Sequence, residues 1–411
     1  MDETPLGQAA AGGPAPAGEV FTAFLRQGLT AFGGPFAQAA QFRREFVERR
    51  GWLSEAAFAE LLALAQFLPG SISSQLGMAI GLRRGGYAGL LAAWLGFTLP
   101  AAAVMIALGS LIPNLDAPWS EGLLHGLRLA AAAVVANAVL GMARSLAVGP
   151  IRAGMAIGAT VGLLVAHGPV PQILAMAAGA VFGLAFLQDA PPPAEPASPA
   201  AAPLSQGVSL AALAAFAVAL AGLPFLAAYL GDPTLGLASV VFRSGALTFG
   251  NDQVILPLLH REVVGRGWLD ADTFLAGYGA AQALPGPLFG FAGFVGAAQQ
   301  VAPAGWASGA VAILAVFAPG LLLTVGVLPS WERLKARPAS RGAMAGVQAV
   351  VVGVLAATLW NPVLTVAIER PSDWLLAAGA FVFLSVARLP PWLVVVGFAA
   401  ATGLFHRPPV L

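Results

Sequence analysis

The 411-residue sequence contains no cysteine, and only 9% of its residues are charged. The absence of cysteine excludes disulfide bonds and thiolate metal sites. Ordinary globular proteins are about 25% charged, so this fraction argues against a soluble chain. The net charge of +1 gives no reason to expect a nucleic-acid partner. The sequence also lacks a nucleotide-binding loop, a nucleophile motif and a zinc-binding helix, and it therefore predicts neither an enzyme nor a bound cofactor.

Apolar residues make up 58% of the chain, and glycine (50) and proline (32) are abundant. Transmembrane helices contain both residues more often than soluble helices do. The composition therefore predicts an all-α integral membrane protein that crosses the lipid bilayer several times. Residues 1–19 are small, proline-rich and without the basic start of a signal peptide, and we expect them to form a disordered tail.

Two apolar stretches are interrupted by a Pro-Gly pair near their centres. Gly277–Gly296 contains Pro285-Gly286-Pro287, and Ala63–Gly81 contains Pro69-Gly70. Proline ends or kinks a helix, and the backbone groups freed at membrane depth need partners. Two broken helices in corresponding places are a sequence sign of a transporter's binding site.

The plan of the first half of the chain restarts near residue 235. Among the residues that recur after 217 positions, Arg26, Phe32, Gly33 and Glu45 fall on Arg243, Phe249, Gly250 and Glu262. Among those that recur after 216 positions, Gln66, Pro69 and Gly70 fall on Gln282, Pro285 and Gly286. We therefore predict two homologous halves, 20–188 and 235–407, joined by a Pro/Ala-rich linker at 189–207 and a connecting transmembrane helix at 208–230.

Basic loop residues orient the two halves, because they favour the cytoplasmic side. Arg83 and Arg84 precede the long apolar span Tyr87–Ile112, whereas basic residues follow the equivalent span at about 304–328. The halves are therefore predicted to form an inverted-topology repeat of about 13 membrane segments, with the N-terminus in the cytoplasm. The sequence leaves open whether the broken elements span the membrane or are re-entrant.

The Pro-Gly breaks are the predicted anion site, because each exposes the N-terminus of a half-helix, whose free N–H groups and dipole favour negative charge. The first-half candidates are Gln66, Pro69, Gly70, Ser71, Ser73, Ser74 and Gln75, which include hydroxyl and amide donors. The second-half candidates are Gln282, Pro285, Gly286 and Pro287, where the backbone supplies most donors. The alternative is a plain kink that lets helices pack closely.

Charged residues in apolar surroundings are further candidates. An arginine at mid-membrane costs about 2.5–3.5 kcal/mol, so Arg26 and Arg243 are predicted anion ligands unless they reach the headgroups. Glu45, Glu262 and Asp252 are candidates for proton coupling or gating. The alternatives are ion pairs with neighbouring arginines for the two glutamates and a helix cap for Asp252. The predicted hinge residues are those of the Phe-Gly loops: Phe32, Gly33, Gly34, Phe249 and Gly250.

Several of these motifs resemble those of the chromate ion transporter family in its long two-domain form. In the first half they are Phe32-Gly33-Gly34-Pro35, Arg44–Arg50 with Trp52-Leu53, and Gln66–Gly70. In the second half they are Leu256–Leu259, Glu262–Val264, Gly267-Trp268 and Gly277–Phe289. The resemblance implies an inner-membrane carrier that exports chromate, a tetrahedral dianion similar to sulfate. The chain departs from the family pattern at Ser71, Ile72 and Ser74, at Gln38, and at Asn251 and Asp252.

The sequence thus predicts a secondary active transporter that exports chromate across the bacterial inner membrane and is coupled to the proton gradient. Because the departures lie in or beside the predicted site, a transporter or channel for another oxyanion, such as sulfate, is one alternative. A membrane interaction protein that moves no ion is another. The sequence leaves a homodimer open.

Overall fold

The computed structural model describes residues 15–114, 120–166, 168–188, 205–301 and 304–405. Almost all of these residues are helical, and the described part contains no strand, which confirms the all-α prediction. Most of the predicted tail and most of the predicted linker lie outside the described residues.

The described residues of the first half form seven α-helices: α1 (Ala17–Thr30), α2 (Gly34–Phe42), α3 (Glu55–Phe67), α4 (Ile72–Leu111), α5 (Ser120–Leu146), α6 (Pro150–Val165) and α7 (Pro169–Phe186). Helix α2 continues into a π-helical segment, Arg43–Arg49. Helix α8 (Gln206–Leu230) follows and packs against two helices of the second half, α9 and α13.

The second half contains α9 (Pro233–Ala246), α10 (Ile255–Val263), α11 (Ala271–Gln282), α12 (Phe291–Ala298), α13 (Trp306–Val327), α14 (Trp331–Ala336), α15 (Pro338–Thr358), α16 (Thr365–Ala367), α17 (Pro371–Ser385) and α18 (Pro391–Phe405). Short 3₁₀ turns, Asp252–Val254 and Leu288–Gly290, precede α10 and α12.

The first helices of the chain form two short hairpins whose ends meet. One consists of α1 and α2 with its π-helical continuation, and the other consists of α3 and the first part of α4. The N–H of Ala15 donates to the carbonyl of Arg84 over 2.8 Å, and the Arg84 guanidinium lies 3.8 Å from the Glu19 carboxylate. The same guanidinium lies 5.4 Å from the ring centre of Trp52. The start of α1, the end of the α2 segment and the bend in α4 are therefore neighbours.

That bend occurs at Gly85-Gly86, where the backbone leaves the helical conformation and Gly86 has φ of 62°. Gly81 and Gly89 approach each other so closely that a Cβ on either would meet the other's carbonyl oxygen. The first part of α4 therefore folds back against the second part, and the Pro69-Gly70 break lies at the far end of a short hairpin.

The second half repeats this arrangement around Trp268. The N–H of Gln300 donates to the Trp268 carbonyl over 3.0 Å, and a Cβ on Gly236 would lie 3.9 Å from the Trp268 ring. The start of α9, the end of the α10 segment and the turn after α12 therefore meet in the same way. Helices of about 14 residues are about 21 Å long, which is shorter than a bilayer core of about 30 Å.

The two halves are interlocked. Helices α6 and α7 pack against α15 of the second half, whereas α17 and α18 pack against α5 of the first. Glycines at equivalent positions permit these close crossings: Gly126 faces the carbonyl of Phe398, and Gly346 faces that of Gly179. The largest buried cluster includes Met105 and Ile106 of the first half and several phenylalanines of the second, so the core is shared.

Five helices in the described residues are long and apolar enough to cross a membrane, and they lie within Ile72–Leu111, Ser120–Leu146, Gln206–Leu230, Trp306–Ser330 and Pro338–Ala367. The other apolar helices are shorter. The predicted count of 13 segments and the inverted topology are therefore still predictions.

Candidate functional site

Each Pro-Gly break is held by the Phe-Gly loop of the other half. The N–H of Gly70 donates to the carbonyl of Thr248 over 2.7 Å, and the N–H of Gly286 donates to that of Ala31 over 3.0 Å. Thr248 directly precedes Phe249-Gly250, and Ala31 directly precedes Phe32-Gly33. These contacts join residues at equivalent repeat positions. The structure thus brings both predicted breaks and both predicted hinge loops together between the halves.

Glycine is required at both breaks because the backbone turns there in a conformation that other residues avoid. Gly70 has φ of 127° and Gly286 has φ of 98°, both in the region that L-residues seldom adopt. After each glycine a new helix begins, α4 at Ile72 and the turn before α12 at Leu288. The predicted helix N-termini are therefore present.

The N-terminus of α4 is capped by a carboxylate from the other half. Asp252 accepts hydrogen bonds from the Ser71 hydroxyl (2.9 Å) and from the Ile72 N–H (3.0 Å). Asp252 is only 1% exposed, and it forms no ion pair with any of the described residues. Asp252 therefore caps this helix, as the alternative expected, and its carboxylate fills the position predicted for an anion. Its role in proton coupling or gating is still a prediction.

The equivalent helix start at Leu288 has no such cap. Pro35 occupies the position that corresponds to Asp252, and no side chain in the described part of the chain caps the turn Leu288–Gly290. Gln38 instead donates to the Gly286 carbonyl over 2.6 Å. The Gln38 side-chain oxygen is buried and has no partner among the described residues.

A cavity of about 430 Å³ lies beside the uncapped start. Polar side chains and backbone from four parts of the chain line it: Gly33, Gly34 and Gln38; Asn137 and Ser145 of α5; Asn251, Asp252 and Gln253; and Gln282, Gly286 and Leu288. Asp252 is the one charged residue among the described lining residues, which include no arginine, lysine or histidine. The cavity therefore offers an anion neutral hydrogen-bond donors and one unfavourable carboxylate.

Gln253 is positioned by a small polar network at the edge of this cavity. Its side-chain oxygen accepts hydrogen bonds from the Tyr278 hydroxyl and from the Gln282 amide, the latter over 3.1 Å. Its NH₂ group has no hydrogen-bond partner in the described residues. Because the carbonyl end is fixed, this NH₂ group is a donor available to a ligand.

The other first-half candidates lie behind Asp252 and not on the cavity wall. Ser71 is 3.2 Å from Ser74, both hydroxyls are buried, and the Gln75 amide donates to the Pro69 carbonyl over 2.9 Å. Ser73 is also buried, and Gln66 is partly exposed. The two breaks are therefore close in space, but one cavity serves the second break alone.

The two predicted arginine ligands do not line the cavity. Arg26 is exposed on α1, while Arg243 forms a short ion pair with Glu262, which also binds Arg266 over 2.6 Å. Glu45 binds Arg49 over 3.0 Å and Arg50 over 2.6 Å. Both glutamates thus adopt the ion-pair alternative, and their role in proton coupling or gating is still a prediction.

Glu45 lies outside the apolar segments, in the charged segment Arg43–Arg49, and the charges around it determine its ionisation. Burial on its own would raise the pKa of Glu45. The hydrogen bonds and positive charges of Arg50 and Arg49 outweigh that effect and lower the pKa below its usual value. Glu45 is therefore ionised, which suits a structural ion pair better than a group that exchanges protons near neutral pH.

Five residues on the cavity wall were not predicted as ligands from the sequence, although two of them, Gln38 and Asn251, are departures from the family pattern: Gln38, Asn137, Ser145, Asn251 and Gln253. A signal for Asn251 and Gln253 was present in the repeat. The second-half loop reads Asn251-Asp252-Gln253 where the first half reads Gly34-Pro35-Phe36, so polar residues are concentrated on one side. Asn137 and Ser145 lie on an apolar helix and gave no such signal.

Comparisons with known proteins agree with the motifs. The model of a family described as chromate transporter matches residues 18–184 and 235–404. The chain is 32% identical to the chromate transport protein of Pseudomonas aeruginosa, over 94% of this chain and 91% of that protein. It is 27% identical to the chromate transport protein of Cupriavidus metallidurans, over 94% of this chain and 92% of that protein. No solved structure matches the chain.

Proposed function

The chain belongs to the chromate transporter family, and from this premise we propose that it is a secondary active transporter that exports chromate across the bacterial inner membrane. One observation carries the proposal. Both Pro-Gly breaks and both Phe-Gly loops meet between the halves, next to a cavity that reaches an uncapped helix start. Such a site suits a small tetrahedral oxyanion.

The oxyanion is bound by neutral donors. The backbone at Gly286 and Leu288 provides the positive end of the helix dipole, and the amides of Gln282, Asn251 and Gln253 surround it. Asn137 and Ser145 complete the wall from α5. A site without a cation holds a dianion less tightly than an arginine cluster would, and a transported ion must also be released.

The two halves supply the alternating movement. In this proposal they form an inverted repeat, and the Phe-Gly loops are the hinges about which the short hairpins move. Equivalent contacts at the two breaks and the reciprocal packing of α6–α7 and α17–α18 support this view. Arg26 and Arg243 act as ligands only in a second conformation, in which α1 and α9 approach the cavity. The electrical part of the proton electrochemical gradient supplies the energy, because net negative charge leaves a cell whose interior is negative.

A flux assay in proteoliposomes tests the substrate and the site together. Chromate, sulfate and molybdate are compared with and without a pH gradient, and we expect chromate flux that saturates and responds to the gradient. Flux that rises linearly with concentration and ignores the gradient would instead indicate passive conduction.

A glycine pair provides the matched variant and control. Gly141 lines the cavity and Gly158 lies on α6, and a Cβ at either position meets nothing within 4 Å. Gly141→Leu should fill the cavity and reduce flux at least tenfold, whereas Gly158→Leu should leave flux unchanged. Equal flux in both variants would place the substrate path elsewhere.

Direction is tested in cells. Cells that produce the protein should accumulate less chromate than cells that produce Gly141→Leu at the same membrane level. Equal accumulation would contradict export.

A further inference from the structure

We propose that Asp252 is a tethered counter-ligand: its carboxylate occupies the start of α4 in place of an oxyanion, and it takes up one proton when chromate binds in the adjacent cavity. This inference rests on the proposed function. It adds the residue that links the proton to the anion, and it explains why one of two equivalent helix starts is closed.

The contacts of Asp252 are those of a bound oxyanion. One carboxylate oxygen accepts from the Ser71 hydroxyl over 2.9 Å, and the other accepts from the Ile72 N–H over 3.0 Å. These are a hydroxyl and a helix N-terminal N–H, the donors that helix starts offer to free anions. Since the carboxylate comes from the second half, it reaches this position only while the two halves are docked.

Asp252 also forms part of the cavity wall, so an entering oxyanion meets its charge. Repulsion between like charges is much stronger in a buried site than in water, and the described lining residues include no cation to offset it. A buried carboxylate next to an anion is neutralised by protonation. The proton comes from the solvent, and no bond of the oxyanion changes.

The groups around Asp252 do not provide another proton acceptor. From α11 the titratable side chain that faces it is Tyr278, whose hydroxyl donates to Gln253. The start of α4 presents Ser71 and Ile72, and the turn Leu288–Gly290 carries no titratable side chain. Asp252 makes no contact with the titratable or charged residues of the other packed segments. These residues are Arg83 and Arg84 in α4, His260, Arg261 and Glu262 in α10, and Arg341 in α15.

A carboxylate lies at only one of the two equivalent loop positions, and this difference between the halves predicts one proton site per chain. The position equivalent to Asp252 is Pro35, which cannot bind a proton. We therefore expect one proton to be taken up for each chromate bound, and the carried charge to fall by one. In the pH range where Asp252 is ionised, the apparent affinity for chromate should rise about tenfold for each unit that the pH falls.

Infrared difference spectroscopy of the purified protein tests the proton directly. Chromate added to the wild-type protein should produce the C=O band of a protonated carboxyl group. The band should be absent in Asp252→Asn, retained in Ser71→Ala, and shifted but retained in Asp252→Glu. Chromate binding without the band, or the same band in Asp252→Asn, would overturn the proposal.

Binding measurements give a second readout. Asn at position 252 can still accept from the Ile72 N–H, and its NH₂ group can donate to the Ser71 hydroxyl oxygen, but it carries no charge. Asp252→Asn should therefore bind chromate with an affinity that does not change between pH 8 and 9, where chromate is the dianion. The wild-type affinity should fall over that range. An identical pH dependence in both proteins would contradict the role of Asp252.

A third variant separates this inference from the proposed function. Asp252→Ala vacates the start of α4, and sulfate or chromate should then raise its unfolding temperature more than that of the wild-type protein. If the wild-type protein binds no chromate, the proposed function fails, yet this anion effect would still support the tethered counter-ligand. If the anions stabilise both proteins equally, the counter-ligand is refuted.

Discussion

At the first break, the start of α4 meets the carboxylate of Asp252, whereas at the second the start at Leu288 meets a cavity and neutral side chains. The backbone is alike in both places, with a positive-φ glycine whose N–H binds the loop of the other half. The side chains differ: Ser71 corresponds to Pro287, and Asp252 corresponds to Pro35. A duplicated frame has therefore acquired a closed site and an open one.

The largest effect on chromate flux is expected when the second break receives a carboxylate like the one that caps the first. Pro35→Asp places a carboxylate beside the uncapped start at Leu288, where it should compete with the oxyanion and repel it. We expect chromate flux to fall at least tenfold while the protein remains folded. Pro35→Asn is the matched neutral variant, and it should retain more flux. Equal flux in the two variants would show that charge at this break does not matter.

Removing the existing cap should mainly affect stability. Asp252→Ala leaves the buried start of α4 without its acceptor, and we expect a loss of about 1–2 kcal/mol. Pro35→Ala, at the equivalent position, should change the free energy of unfolding by less than about 0.5 kcal/mol. Thermal unfolding in detergent compares the two. Similar losses would mean that the breaks are equally capped.

Two buried glutamines provide a smaller test, since each amide binds a carbonyl of a break. Gln38→Leu removes the donor to Gly286, and Gln75→Leu removes the donor to Pro69. Each should cost about 1 kcal/mol. Because only Gln38 lines the cavity, its variant should lose more chromate flux than Gln75→Leu does. The opposite order would place the substrate at the first break.

The ion pairs at the hairpin ends should have the smallest effect. Glu45→Gln breaks the contacts with Arg49 and Arg50, and partly exposed pairs contribute less than about 1 kcal/mol. Because the native pKa of Glu45 is lowered, this contribution is present at neutral pH and is lost as the pH falls below the usual value of 4.5. Unfolding temperatures of wild type and variant should therefore differ at pH 7 and converge in acid.

The repeat in the sequence identified the right pairs of residues but not their contacts. It matched Pro69-Gly70 with Pro285-Gly286 and the two Phe-Gly loops with each other, and all four meet in the structure. Equivalence between halves does not say which residues touch across them. The bond from Ser71 to Asp252 joins residues 181 positions apart, and no local pattern encodes it.

The arginines show a second limit. The cost of burying a guanidinium in a membrane says that Arg243 needs a partner, but it does not say whether the partner is a substrate or a carboxylate. In the structure the partner is Glu262. The absence of arginine, lysine and histidine from the described cavity wall could not be predicted either, because it depends on which helix faces close around the break.

The interlocked halves constrain how the protein is made. Helix α5 is synthesised well before α17 and α18, the helices that cover it, so the first half cannot complete its own fold while it is being translated. Neither half is then an independent folding unit, although each contains a complete copy of the repeat. Two separate polypeptides, divided within residues 189–204, should therefore be degraded when produced alone and should assemble when produced together.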